Sequence, residues 1–225
     1  MPLHAITSTY GEAGLRDRFA VEIASWPEAD RQRMERALDL AARLHAADRR
    51  EREPYVNHLL RVTIRIVAYY GIRDPDVLCA ALLHDAVEDH AADLADGGGR
   101  QRALAVLAAS FGPRVAELVG AVTNPEFAPD RDRHAQYREH VARSLDRCPW
   151  ARVIKASDFT DNGAGLMHTA SGSRLRELAA KYAPLVPVLR ELIARPDTPL
   201  APAQRQRVLG QLDRAARRFA AVLPP

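Results

Sequence analysis

Apolar residues recur every three or four positions through most of the chain, whereas alternating runs rich in β-branched residues are not found. This spacing lines one face of a helix with apolar side chains. The pattern therefore predicts an all-α protein, a single helical bundle of about 8–10 helices. We place the helices at 11–25, 31–47, 56–70, 75–90, 101–110, 113–123, 131–147, 150–168, 173–195 and 202–222.

Glycine and proline residues separate the predicted helices, and no break between helices is long enough to be a linker between domains. Two clear breaks are the triple glycine at 97–99 and the proline-rich turn at 195–199. We predict one helical domain over 31–195, preceded by an N-terminal extension, 1–30. The amphipathic segment 196–225 is predicted to be a C-terminal helix packed on or next to this domain. Whether that helix also meets a partner stays open.

The charges of the chain are nearly balanced, with 32 Lys and Arg against 29 Asp and Glu and a formal net charge of +3. This balance does not favour a nucleic-acid or membrane partner. No stretch reaches the roughly 18 apolar residues that span a bilayer, and the N-terminal residues lack the apolar core of a signal peptide. Cys79 and Cys148 have no metal-binding or redox spacing, which favours a reducing compartment. The sequence therefore predicts a cytoplasmic protein.

A group of charged residues interrupts the apolar segment 77–90. On a continuous helix with His84 at 0°, Glu88 lies at about 40°, Asp85 at about 100° and Asp89 at about 140°, so all four share one face. One interpretation is a solvated C-terminal turn. Acidic residues at a helix C-terminus oppose the helix dipole, however, and burying three carboxylates with an imidazole needs compensation. The pattern therefore favours a bound cation.

Two more residues complete a candidate ligand set. His58 opens the preceding predicted helix, and Asp158 lies in the mostly apolar helix 150–168. Each of them taken singly has a structural role more often than a metal. Two neutral imidazoles with two carboxylates are nevertheless a common shell for a catalytic divalent ion with open positions. The predicted metal ligands are His58, His84, Asp85 and Asp158.

Four motifs, in order along the chain, resemble those of HD-domain metal-dependent phosphohydrolases, and within them the RelA/SpoT-type small alarmone hydrolases. The resemblance extends from about residue 37 to residue 194. Its motifs are ArgArgGluArgGluProTyrValAsnHis at 49–58, AlaAlaLeuLeuHisAspAlaValGluAsp at 80–89, the helix that begins PheGlyPro at 111–123, and LysAlaSerAspPheThrAspAsn at 155–162. A bare HisAsp pair would be weak evidence, whereas the ordered set is specific.

The resemblance implies a fold, a cofactor and a set of roles. It implies an HD-domain bundle that binds Mn²⁺, or another divalent ion, through the four predicted ligands. It implies catalytic roles for Glu88 and Asp89. It implies substrate contacts for Arg49, Arg50 and Asn162.

Two further basic residues are candidates for contacts with phosphate. Lys155, one of only two lysines, lies three residues before Asp158, although a simple salt bridge explains it equally well. Arg61 follows His58 by three residues and lies on nearly the same side of the predicted helix.

The activity implied is removal of the 3′-pyrophosphate from (p)ppGpp, or from a related hyperphosphorylated nucleotide, by water that the metal activates. The last motif departs from the family in Asp161, where the alarmone hydrolases usually have histidine or tyrosine. It departs again in Gly163, Ala164 and Gly165, where they tend to have polar or basic residues. The choice of nucleotide is therefore open.

Two alternatives follow from these departures. One is an HD-type phosphatase that acts on another nucleotide or a phosphorylated metabolite, such as NADPH or a nucleoside monophosphate. The other is a nucleotide-binding sensor without turnover, which Glu88 and Asp89 disfavour because a pure binder needs no water-activating pair. The predicted partner is a small nucleotide, and the oligomeric state stays open, with a homodimer as one option.

Overall fold

The computed structural model describes residues 1–50, 53–165 and 172–223. These residues are mostly helical, with one pair of two-residue strands, so the predicted all-α class is confirmed. The chain forms two compact units, 1–123 and 124–225. The predicted domain limits at 30 and 195 stay a prediction. Among the described residues, no helix is both long and apolar enough to cross a membrane.

The first unit contains seven helices and the strand pair in its described part. Its elements are α1 (Leu3–Ile23), α2 (Glu28–Leu44), β1 (Arg49–Arg50), β2 (Glu53–Pro54), α3 (Val56–Ile64), a π-helical turn (Arg65–Tyr69), α4 (Pro75–Leu82), α5 (Ala86–Leu94), α6 (Arg100–Phe111) and α7 (Pro113–Val122). Every residue of α3 is buried, and α4 is buried from Val77 onward. Helices that are buried on all sides lie at the centre of a fold. Accordingly, α3 packs on α1, and α4 packs on α2 and α7.

The second unit contains five helices in its described part. They are α8 (Arg133–Arg147), α9 (Pro149–Phe159), followed by a π-helical turn (Thr160–Ala164), α10 (Gly172–Tyr182), α11 (Leu185–Ala194) and α12 (Pro202–Val222). Helix α11 packs on α8, α9 and α12, and α12 also packs on the π-helical turn. This turn directly follows the helix that carries Asp158.

Two helix predictions need correction at a glycine and at a proline. The helix predicted at 11–25 begins earlier, at Leu3, and the predicted start coincides with a kink at Gly11, whose φ of 63° favours glycine. The helix predicted at 173–195 is two helices, α10 and α11, which are separated at Pro184 because proline has no N–H to continue the helical hydrogen bonds.

Helix α4 begins at a well-defined cap. The Asp74 carboxylate accepts hydrogen bonds from the backbone N–H groups of Asp76 (3.0 Å) and Val77 (3.3 Å), and Pro75 occupies the first helical turn. The Arg114 guanidinium donates to both Asp74 oxygens at 2.9 and 2.7 Å. Burial raises the pKa of Asp74, but its bonds with Arg114 and the backbone outweigh that effect and hold the pKa below its usual value.

Replacing Asp74 by alanine is expected to lower the free energy of unfolding by about 1–2 kcal/mol, because the cap and the partner of Arg114 are lost together. Asp74→Asn keeps a capping oxygen and should lose less. Since the folded-state pKa is lowered, the wild-type advantage should be present above about pH 4 and shrink as the pH falls through the folded-state pKa. Urea unfolding at several pH values measures this; equal midpoints at pH 7 would contradict it.

Candidate active site and metal centre

The HisAsp pair lies in a turn between two helices, not within a helix. Helix α4 ends at Leu82, Leu83 has non-helical φ/ψ of −104° and 8°, and α5 begins at Ala86. The predicted continuous helix 75–90 is therefore wrong. The break contains neither glycine nor proline, and the residues on its N-terminal side are apolar, so the sequence gives no signal that the helix ends there.

The break also changes the position of the acidic pair. Glu88 and Asp89 lie in the first turn of α5, not in a C-terminal turn. The positive end of the helix dipole favours acidic residues there, so the dipole argument for a cation is wrong. The chemistry of the neighbouring His84, Asp85 and His58 provides a better argument.

A backbone carbonyl fixes which nitrogen of a neutral His84 ring carries the hydrogen. His84 Nδ1 lies 2.9 Å from the carbonyl oxygen of Ala81. Because a carbonyl only accepts, Nδ1 carries the hydrogen, and a neutral ring then has its lone pair on Nε2. This Nε2 lies 3.1 Å from Asp85 Oδ2. A lone pair that faces a carboxylate oxygen is an arrangement that a shared cation stabilises.

His58 reaches the same carboxylate oxygen from α3. Its side chain is fully buried, its Nε2 lies 3.7 Å from Asp85 Oδ2, and the His58 and His84 rings are 5.2 Å apart between centroids. Two imidazole nitrogens and a carboxylate oxygen, gathered at one point of a buried turn, match the ligand set of a catalytic divalent ion. The three residues in the first unit therefore fit the metal that the sequence predicts.

Tyr55 is a site residue that the sequence reasoning missed. Its hydroxyl donates a hydrogen bond of 2.7 Å to Asp85 Oδ2, and its ring meets the His58 ring edge-on at 5.6 Å. Burial, and then the charge of Asp85, raise the pKa of Tyr55 well above its usual value, so the hydroxyl keeps its proton and remains a donor. The ProTyr pair within the motif 49–58 was the available signal, but the contact with Asp85 spans 30 residues.

The predicted basic contacts lie next to this tyrosine. Arg50, in β1, places its guanidinium 5.1 Å from the centroid of the Tyr55 ring, within range of a cation–π contact. Arg49 is exposed. Both belong to the strand that pairs with β2, and Glu53 lies opposite Arg50. Their contacts with a substrate stay predictions.

The two predicted catalytic carboxylates have different surroundings. Glu88 is half-buried, and Asp89 is more exposed as a residue. Burial of its carboxyl group, followed by the negative charges of Asp85 and Glu88, nevertheless raises the pKa of Asp89 to about 6. At pH 7 the Asp89 carboxylate can therefore act as a proton acceptor, while in mildly acidic solution it holds a proton.

Asp158, the fourth predicted ligand, belongs to the second unit. Its side chain is almost fully buried. Lys155 Nζ donates to Asp158 Oδ2 at 2.9 Å, and Asn162 Nδ2 donates to Oδ1 at 2.5 Å. The salt-bridge interpretation of Lys155 is thus confirmed. Lys155 and Asn162 orient the Asp158 carboxylate, and their contacts with a nucleotide stay predictions.

Two departures from the family motif have a structural setting. Asp161 is fully buried. A Cβ atom at Gly163 would lie 3.0 Å from the Phe219 ring and 3.3 Å from the Phe159 ring, so this glycine allows α12 to pack closely on the π-helical turn. Gly163 therefore does not by itself indicate a wider nucleotide pocket. The Ala164 side chain lies outside the described residues.

Arg61, a candidate for phosphate binding, has a different role. Its side chain is fully buried and donates two hydrogen bonds to the Glu53 carboxylate. A guanidinium in this position is not available to a substrate, so that candidate was wrong.

Comparisons with known proteins agree with the site's chemistry. Residues 37–146 match the HD domain family. The Drosophila melanogaster guanosine-3′,5′-bis(diphosphate) 3′-pyrophosphohydrolase MESH1 is 34% identical over 143 residues, which cover 62% of this chain and 71% of the relative. The Homo sapiens MESH1 is 35% identical over 125 residues, which cover 54% and 63%. A solved structure described as a metazoan ortholog of SpoT that hydrolyses ppGpp is similar at a TM-score of 0.65 and 27% identity, over 88% of this chain and 99% of that one.

Proposed function

Because the chain belongs to the HD-domain family of metal-dependent phosphohydrolases, we propose that it hydrolyses (p)ppGpp to release the 3′-pyrophosphate. The observation that carries this proposal is the convergence of His58 Nε2 and His84 Nε2 on Asp85 Oδ2 in the buried turn. The names of the similar proteins supply the substrate: both MESH1 relatives and the similar solved structure are described by ppGpp hydrolysis.

The proposed metal ligands are His58, His84, Asp85 and Asp158, and the proposed ion is Mn²⁺. The first three are supported by their distances within the first unit. Asp158 is proposed from the order of the motifs and from the donors that orient its buried carboxylate. When bound, such an ion lowers the pKa of a water molecule and polarises the phosphoryl oxygen.

The chain's own residues then carry the rest of the reaction. Glu88, in the first turn after the HisAsp pair, accepts a proton from the attacking water, and Asp89 shares this task. The water oxygen bonds to phosphorus, the bond from phosphorus to the 3′ oxygen breaks, and that oxygen takes up the proton that Glu88 or Asp89 accepted, as pyrophosphate leaves. Tyr55 holds the Asp85 carboxylate in place through its hydroxyl. Arg49 and Arg50 are proposed to neutralise the phosphate charge.

The alternatives from the sequence lose part of their support. The case for an HD-type phosphatase of another nucleotide or metabolite rested on the absence of polar or basic side chains at the positions that follow Asn162. Gly163, however, has a packing reason in the contact with Phe219 and Phe159. The case for a sensor without turnover is opposed by Glu88 and Asp89, which lie beside the candidate centre. A cytoplasmic location and a homodimer stay predictions.

The substrate is tested with protein stripped by a chelator and reloaded with Mn²⁺. We expect release of pyrophosphate from ppGpp and pppGpp, loss of this activity on renewed chelation, and much slower turnover of ppApp and NADPH. Separate detection of pyrophosphate and orthophosphate distinguishes the reactions. Turnover of NADPH or a nucleoside monophosphate alone would replace the proposed substrate, and the same rate with and without metal would overturn the mechanism.

A further inference from the structure

A second group of metal-ligand side chains lies in the first unit, and none of its members is a predicted ligand. His45 follows the end of α2, Asp48 precedes β1, and His90 lies in α5, where it interrupts the helical backbone. One ligand atom from each lies within 4.8 Å of the other two. His45 Nδ1 and His90 Nε2 both lie 2.7 Å from Asp48 Oδ2.

His90 is held by a second carboxylate, as metal-binding histidines usually are. Its other ring nitrogen, Nδ1, lies 3.0 Å from Asp93 Oδ2. A carboxylate that accepts from the far side of an imidazole fixes the ring and its tautomer, and leaves the near nitrogen to a metal. Asp93 thus supplies for His90 what the Ala81 carbonyl supplies for His84.

Charge also favours a divalent cation here. Without a metal, both nitrogens of His90 must donate, to Asp48 and to Asp93, so the ring is a cation between two carboxylates. The four side chains His45, Asp48, His90 and Asp93 then have a net charge of about −1, next to Glu88 and Asp89. A divalent ion with neutral imidazoles makes the same four groups neutral and releases a proton.

The dimensions and accessibility of the cluster suit a small ion. Around a tetrahedral ion with bonds of about 2.0–2.1 Å, ligand atoms lie about 3.3 Å apart, so the 2.7 Å contacts need to open by only about 0.6 Å. The His45 side chain is 1% exposed, that of His90 15% and that of Asp48 33%. A bound ion would therefore be buried on the side of His45 and accessible to solvent on the side of Asp48.

We propose that His45, Asp48 and His90 form a second metal site, which binds a divalent ion of the zinc type. This cluster has one carboxylate fewer than the proposed first centre, and two imidazoles with a single carboxylate suit Zn²⁺ better than Mn²⁺, which prefers oxygen ligands. The ion ties the end of α2 and the start of β1 to α5. His45 stacks on Tyr55 at 4.7 Å, so the site braces the segment that holds Arg49, Arg50 and the donor to Asp85. The site does not depend on the proposed activity.

The test counts metal ions in protein from which all metal has been stripped. In the background variant His84→Ala/Asp85→Ala, which lacks two ligands of the first centre, we expect one equivalent of Zn²⁺ by calorimetry and one of Co²⁺ by visible absorption. Adding His90→Gln should remove that equivalent. Asp93→Asn should weaken binding by about 10–100-fold. The matched control His134→Gln changes an exposed histidine and should leave the count unchanged.

A second measurement covers the case in which the background variant does not fold. In the otherwise wild-type chain, Zn²⁺ should raise the melting temperature more than it does in His90→Gln, and circular dichroism checks that both are folded. If the background variant is folded and binds no zinc, or if His90→Gln changes neither the count nor the melting shift, the cluster is a protonated hydrogen-bond network and the proposal is overturned.

Discussion

Replacement of Asp85 by asparagine is expected to reduce kcat/KM for ppGpp by at least about 10³-fold. Asp85 Oδ2 lies 3.1 Å from His84 Nε2 and 3.7 Å from His58 Nε2, so the substitution removes the charge at the point where the candidate ligands meet. A catalytic metal contributes several kcal/mol to stabilising the transition state, and about 4 kcal/mol corresponds to about 10³-fold in rate. Asparagine has nearly the same shape, which limits changes in packing.

The expected loss of activity comes with a loss of metal. Elemental analysis should therefore find less Mn²⁺ in Asp85→Asn, while the melting temperature and circular dichroism stay close to those of the wild type. Asp17→Asn is the matched control, because it removes an exposed aspartate of the same unit and should change neither metal content nor rate. Tyr55→Phe deletes only the hydroxyl that donates to Asp85 and should cost about 10–100-fold.

Two results would contradict the assignment of Asp85. Full activity in Asp85→Asn would exclude the carboxylate from the reaction. Normal metal content with lost activity would make Asp85 a catalytic group rather than a metal ligand. The chelation experiment on the wild-type chain separates these cases from a reaction that needs no metal.

The sequence predicted well those features that depend on local pattern. Apolar spacing is local, so the helical class and the approximate helix positions were accessible. Residue type is local as well: a HisAsp pair within an apolar segment, with an upstream histidine, singled out His58, His84 and Asp85, which the structure brings together. Their role as metal ligands stays a prediction. The spacing had already singled out Glu88 and Asp89 as part of the charged group, and the family resemblance implied their catalytic roles.

The remaining features depend on contacts between distant residues or on subtle backbone changes. The break after Leu82 has no glycine or proline to mark it, so a continuous helix was predicted and the acidic pair was assigned to the wrong end. The contact between Tyr55 and Asp85 spans 30 residues, and that between His90 and Asp48 spans 42. Only the fold brings such pairs together.

A buried ion pair of Arg61 and Glu53 belongs to the contacts that hold the first unit together. The Arg61 side chain is 0% exposed and that of Glu53 10%, and Arg61 Nη1 and Nη2 donate to the two carboxylate oxygens at 2.7 and 2.5 Å. Asn57 Nδ2 adds a contact of 3.2 Å to Glu53, and Arg61 also donates to Thr7 Oγ1 at 3.2 Å. The pair thus joins β2 and α3, the helix that carries His58, to α1.

Arg61→Ala is expected to lower the free energy of unfolding by about 3–5 kcal/mol, because it leaves the Glu53 charge buried with its main cation removed. This is a large share of the roughly 5–15 kcal/mol of a typical domain, so the urea midpoint should fall strongly. The matched control Arg16→Ala removes a half-exposed pair with Glu12 and should change stability by less than about 1 kcal/mol.

A double variant separates two contributions to the loss of stability: the buried, uncompensated charge of Glu53 and the loss of packing. If the uncompensated carboxylate dominates, Arg61→Met/Glu53→Gln should be more stable than Arg61→Ala, since both charges are then absent and the volume is largely kept. Equal destabilisation of the double variant and Arg61→Ala would assign the effect to packing. A urea midpoint of Arg61→Ala equal to that of the wild type would show that the pair contributes no net stability. Because α3 also positions His58, we expect metal affinity to fall in the same order as stability across these variants.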